Sequence, residues 1–254
     1  MCIFSARISS VANTRIFARG MPDGQQFLVY SMQYEAASDL AMILPLPAPP
    51  FPAEDAVRFI DLSGYPRFFD DMAKGFPEPA SRHQIVAAQP AALTALKVHD
   101  VGSFEASFVP HQRDFGRLDG RFRLSDRTWK KLPVYKDYAF AVLKLKPGAV
   151  KVHPMSFEFP RRNPGKLFFP TVHIHDGRVE PRASFDHSLY CQTLRPLKDW
   201  RISSDEPAEG RPLPAGKFMD IPAAQGIVAG EEAILMRRML GLQANEDIVL
   251  AESN

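Results

Sequence analysis

Proline fixes one backbone dihedral and removes a hydrogen-bond donor, so it interrupts helix interiors and central strands. With 23 prolines in 254 residues, this chain is expected to build many short elements joined by proline-containing loops, which argues against a helical bundle. A hydrophobic fraction of 45% with 19 phenylalanines supplies a large core, so disorder is excluded. The fold class read from this pattern is α+β and β-dominated, with antiparallel sheets and a few short helices. Residues 1–254 are read as a single β-rich domain, with any subdivision falling near 80–100.

The strand signals begin at once. Cys2–Arg7, Asn13–Ala18 and the alternating Gln26–Tyr34 read as antiparallel β, and Leu40–Leu46 (LAMILPL) is a continuous apolar run suited to a strand covered on both faces. Helices are expected over Glu54–Leu62, with acids in the first turn, and over Tyr65–Lys74, with Gly75 beyond its end. A short helix near Asp126–Leu132 follows the cap residue Ser125. Strands return from His83 onward, including Tyr138–Leu145, Lys151–Phe159, Leu167–His175 and Ala183–Gln192. Periodicity leaves Glu232–Leu240 open between helix and strand.

Charge is nearly balanced, 31 basic against 29 acidic residues, which argues against nucleic-acid binding. The densest basic cluster, Arg161–Lys166 (RRNPGK), reads as a solvated hairpin loop. No apolar run reaches the roughly 18 residues of a transmembrane helix, and the N-terminus lacks the pattern of a secretory signal. The expected location is cytoplasmic, where Cys2 and Cys191 are free thiols; in an exported protein they could pair.

The chemistry concentrates in FFPTVHIHDGRVEPRASFDHSLYCQ, Phe168–Gln192, which holds His173, His175, His187 and Cys191. Imidazole and thiolate bind transition metals or act as bases and nucleophiles near neutral pH. Two apart on a strand, His173 and His175 share a face with Cα atoms about 6.6 Å apart, close enough to share one ion. A turn at Asp176-Gly177 brings Glu180 opposite His173 as the third ligand, with His187 or His153 as substitutes. Cys191 is a weaker candidate, because His187 and Cys191 would lie about 13 Å apart on an extended strand.

This segment resembles the first motif of cupins, in which His-x-His is followed three or four residues later by Glu; here these are His173, His175 and Glu180. Pro214-Ala215-Gly216 matches the start of the second cupin motif, but no histidine follows it. The Met-Cys start resembles the N-terminal-cysteine hydrolases of the choloylglycine and penicillin V acylase type. That resemblance implies Cys2 as nucleophile, assisted by Arg19 and Asp23, with its own α-amine as base. ANTRIFAR, QQFLVYSMQY and SDLAMILPLPAP are similar to the N-terminal half of an uncharacterised bacterial family, a similarity that extends to FDHSLYCQ and carries no activity.

Three functions follow as expectations. The first is a metal-dependent enzyme or metal-binding protein holding one zinc, iron or manganese ion on His173, His175 and Glu180. The second is a thiol hydrolase of amide bonds with Cys2 as nucleophile, or a variant in which Cys2 or Cys191 pairs with His175 or His187 as base and Asp186 orients His187. The third is a non-catalytic β-rich binding protein. The first two imply a small-molecule substrate; none implies nucleic acid or membrane as partner.

Overall fold

A computed structural model describes residues 3–78, 105–151, 153–193, 197–207 and 210–252. Its strands are β1 (Ile3–Phe4), β2 (Ser10–Gly20), β3 (Gln25–Ala36), β4 (Leu40–Leu46), β5 (Arg58–Asp61), β6 (Ala106–Val109), β7 (Ala139–Leu145), β8 (Gly148–Lys151), β9 (Met155–Pro160), β10 (Lys166–Phe169), β11 (Arg182–Gln192), β12 (Arg201–Ile202), β13 (Leu235–Ala244) and β14 (Ile248–Ala251). Two short helices, α1 (Phe68–Ala73) and α2 (Asp126–Trp129), accompany them. The chain is β-dominated, as the proline count implies. The subdivision expected near 80–100, and the strand start at His83, fall outside the described residues.

An eight-stranded sheet runs in the order β12-β13-β11-β2-β3-β9-β5, with β8 added against β3. It is mixed, because β11 lies parallel to β2 while its other neighbours are antiparallel. A four-stranded sheet, β1-β4-β7-β6, packs over one face. Alternation along β4 shows how the layers share one strand. Leu40, Met42, Leu44 and Leu46 enter the core between the sheets, beside Leu28, Tyr30 and Phe157 of the larger one. Ala41 and Ile43 face the opposite way, into a third layer built on Phe115, Trp129 and Phe140. Burial on both faces is why LAMILPL carries no polar residue. The far face of the large sheet, with Phe17, Phe27 and Val29, is covered by α1 and by residues of the 215–234 segment.

Several expected elements appear as read. Ser125 caps α2 by accepting the Thr128 amide, and β13 resolves Glu232–Leu240 in favour of strand through ten paired residues with β11. Two expectations are corrected. The Glu54–Leu62 helix is instead the edge strand β5, paired with β9, where Phe59 packs edge-on against Phe157 and Arg58 pairs with Glu158. The Arg161–Lys166 loop is also not simply solvated. Arg161 is buried against Glu252 and donates to the Met21 carbonyl, while Arg162 donates to the carbonyls of Ala48 and Asp137. These arginines therefore tie the β9–β10 connection to the sheet ends.

Candidate functional site

Leu167–His175 is not one continuous strand. After β10 the chain from Pro170 onward has, among the described residues, a single bridge, between Ile174 and Ile3. Side-chain alternation nonetheless survives. Val172 and Ile174 enter the Trp129 core, and His173 and His175 turn to the other side.

Neighbouring segments hold this stretch by hydrogen bonds. The Asn245 side chain accepts from the His173 amide at 2.6 Å and donates to the carbonyls of His173 and Glu180. Asp247 accepts from the amides of Thr171 and Val172 through one oxygen, and from the Tyr135 hydroxyl at 2.6 Å through the other. On the opposite flank the Phe4 amide donates to the Ile174 carbonyl and the Ile8 amide to that of His175. Sequence reasoning missed Asn245 and Asp247, which act from more than seventy positions away.

His187 arrives from β11, on the side that carries Phe185 and Leu189 into the core. The three imidazoles form a stack, with centroids 5.5 Å apart for His173 and His175 and 5.1 Å for His173 and His187. The Phe185 ring lies 4.2 Å from that of His173, and Phe4 meets His175 edge-on. Burial disfavours the imidazolium form. It lowers the pKa of His175 to about 4 and of His173 to about 2, and that of fully buried His187 lower still. All three are neutral at physiological pH.

A groove of about 530 Å³ opens on this cluster, lined among others by His173, His175, Glu180, Phe185, Asp186 and Asn245. His173 Nε2 and His175 Nε2 are buried and have no hydrogen-bond partner among the described residues. Glu180 lines the same groove as the histidine pair, but no two-residue hairpin sets it opposite His173: the chain bends after Ile174 and β11 begins only at Arg182. Nor do these side chains converge: among the described residues no three of His, Cys, Asp or Glu lie close enough to hold one metal ion. His153 lines a separate cavity with Phe59 and Met155.

For the proposed thiol chemistry, Cys2 lies outside the described residues. Asp186 Oδ1 stands 3.7 Å from His187 Nδ1, beyond hydrogen-bond distance, and its Oδ2 accepts from the Asn13 amide. Arg19 donates to the carbonyls of Gly226 and Ile227, and Asp23 accepts from the Gln25 amide. On β2, Arg19 lies five residues from Thr14, the neighbour of His187, or roughly 16 Å along the strand. Cys191 is a free thiol buried in the inter-sheet core, and burial pushes its pKa up. It is inert by the criteria that mark reactive thiols. Iodoacetamide should leave Cys191 unmodified in the folded protein and label it in urea, as peptide mapping would read; labelling at the native rate would contradict this placement.

The fold defines a class of layered β-rich protein in which an eight-stranded mixed sheet is covered on both faces. The crystal structure of baculovirus P35 is similar to it over the whole of both chains, with a TM-score of 0.57 at 14% identity. A mutated baculovirus P35 after caspase cleavage is similar over 95% of this chain and 100% of that one, with a TM-score of 0.51 at 12% identity. No family model and no curated protein matches the chain.

Proposed function

We propose that this chain is a non-catalytic β-rich binding protein whose partner is a protease of the caspase class. One observation carries the reading: the correspondence with P35 runs through the full length of both chains rather than through a shared fragment. The second P35 structure is of a molecule that a caspase has cut. The histidine stack fits a binding protein, because neutral, buried rings packed on Phe185 and Phe4 act as core side chains. The test is incubation of the pure chain with a panel of caspases, reading hydrolysis of a fluorogenic peptide and the mass of the chain. Saturable inhibition, or cleavage at one site, is the expected result with at least one protease. Unchanged protease activity together with an uncut chain across the panel would overturn the reading.

A second reading is favoured by the unpartnered Nε2 atoms of His173 and His175 on a groove that Glu180 also lines: a site for one divalent zinc, iron or manganese ion, which Glu180 would have to move to complete. Elemental analysis should then find near-stoichiometric metal that is lost in His173→Ala/His175→Ala, and a metal-free folded sample would sink it. The amide-hydrolase reading keeps one support. Ile3, which follows Cys2, bridges Ile174 between the two histidines. Fast labelling of the chain by a thiol electrophile, abolished in Cys2→Ala, is its requirement.

A further inference from the structure

Where β2 turns into β3, a pocket of about 390 Å³ opens between the end of β11 and the β9–β10 connection. Two arginines line it. Arg161 is buried, with its side chain only 5% exposed, and is ion-paired with Glu252. It donates to the carbonyls of Lys166 and Met21, yet its Nε has no hydrogen-bond partner among the described residues. Gly20 leaves room for this pair: a Cβ there would come within 2.7 Å of both the guanidinium and the carboxylate. Arg19, the register partner of Gln192, is held through Nη1, which donates to the carbonyls of Gly226 and Ile227 at 3.0 Å. Its Nε and Nη2 meet no acceptor among the described residues.

Two carboxylates also line the pocket, and they differ in what they touch. Glu252 is taken up by Arg161. Glu232 is fixed beside the pocket by its backbone, whose carbonyl accepts from the Gln192 side chain and the Ala215 amide. Its own carboxylate is exposed and makes no hydrogen bond or ion pair among the described residues. Glu232 is near enough to favour the charge of Arg19, but burial of that guanidinium outweighs it. The pocket therefore presents a cation and an anion that do not meet, with Met21 and Pro164 as apolar surface beside them. A part-buried guanidinium with free donors suits a carboxylate, and an unengaged carboxylate suits an ammonium group.

We propose that this pocket binds an α-amino acid with an apolar side chain, its carboxylate on Arg19, its ammonium on Glu232 and its side chain against Met21 and Pro164. The volume falls at the lower end of the roughly 300–1,000 Å³ of small-molecule sites. The site is separate from the histidine groove, with which it shares no lining residue.

Calorimetric titration of the full chain with L-leucine and L-phenylalanine tests this directly. At least one is expected to bind. Hydrocinnamate and phenethylamine, which keep the ring of phenylalanine but lack the amine or the carboxylate, should bind about tenfold more weakly than the amino acid. Arg19→Met should abolish binding. Glu232→Gln should weaken the amino acid by a similar factor and leave hydrocinnamate unchanged. Because the Glu232 side chain holds nothing else among the described residues, that variant keeps the test should Arg19→Met fail to fold. No heat from either amino acid would overturn the proposal. So would equal affinity for phenylalanine and both of its analogues, or an amino-acid affinity that Glu232→Gln leaves unchanged.

Discussion

Lowering the pH from about 6.5 to about 4.5 is expected to remove several kcal/mol of unfolding free energy from this protein, through its buried histidines. In the folded chain the pKa of His175 is lowered to about 4 and that of His173 to about 2, with His187 lower still. In the unfolded chain each returns to about 6.5. The stabilisation is therefore present above the unfolded value and is lost as pH falls towards the folded ones, because the unfolded state takes up protons the native state refuses. At about 1.4 kcal/mol per pH unit, each histidine contributes on the order of 2–3 kcal/mol across that window. Such a sum is a large part of the ~5–15 kcal/mol that holds a typical domain together. Asp186 works in the opposite sense, since burial raises its pKa and protonation relieves it. Carboxylates held low by partners, such as Asp119 beside Arg121 with a pKa of about 2, lose their contribution below about pH 4, outside this window. Urea unfolding at the two pH values is the check. A His173→Gln/His187→Phe variant should flatten the dependence, whereas equal wild-type stability at both values would contradict neutral, buried rings.

Asp247→Ala is expected to cost about 3–5 kcal/mol and to loosen the histidine segment at the same time. Its carboxylate accepts from three donors: the Tyr135 hydroxyl and the amides of Thr171 and Val172. Removing it orphans all three, at about 1–3 kcal/mol for each buried donor left unsatisfied. Because two of those donors lie just ahead of His173, the loss propagates along the segment that carries His173 and His175. Asp247→Asn keeps an acceptor for the amides and should lose less than the alanine variant. The chemical shifts of the histidine ring protons followed against pH give the second readout. In Asp247→Ala the titrations of His173 and His175 should move up towards 6.5. A variant as stable as the wild type, with unchanged titrations, would show that Asp247 does not brace this segment.

The parts of the fold legible in the sequence were those written in local periodicity. LAMILPL needed both faces covered, and β4 lies between two cores. Ser125 announced α2, and the strand expected over Ala183–Gln192 is β11. Glu54–Leu62 misled because its acids and apolar spacing satisfy a helix, while pairing with β9 is decided by residues a hundred positions away. The basic loop misled for the same reason: Glu252, the partner that buries Arg161, lies far along the chain. At the site, the shared side of His173 and His175 followed from side-chain alternation. Asn245 and Asp247 could not be found that way, because an Asn or Asp after a strand looks like an ordinary turn residue until its distant donors are known.

The proposed function, binding to a caspase-class protease, meets its most direct test in a titration of active caspases with the purified chain. The account predicts that at least one enzyme loses peptide hydrolysis in a saturable way, or cuts the chain at one site, and that the His173→Ala/His175→Ala variant still does so if it folds. Full protease activity with an intact chain at every ratio, across the whole panel, would contradict it.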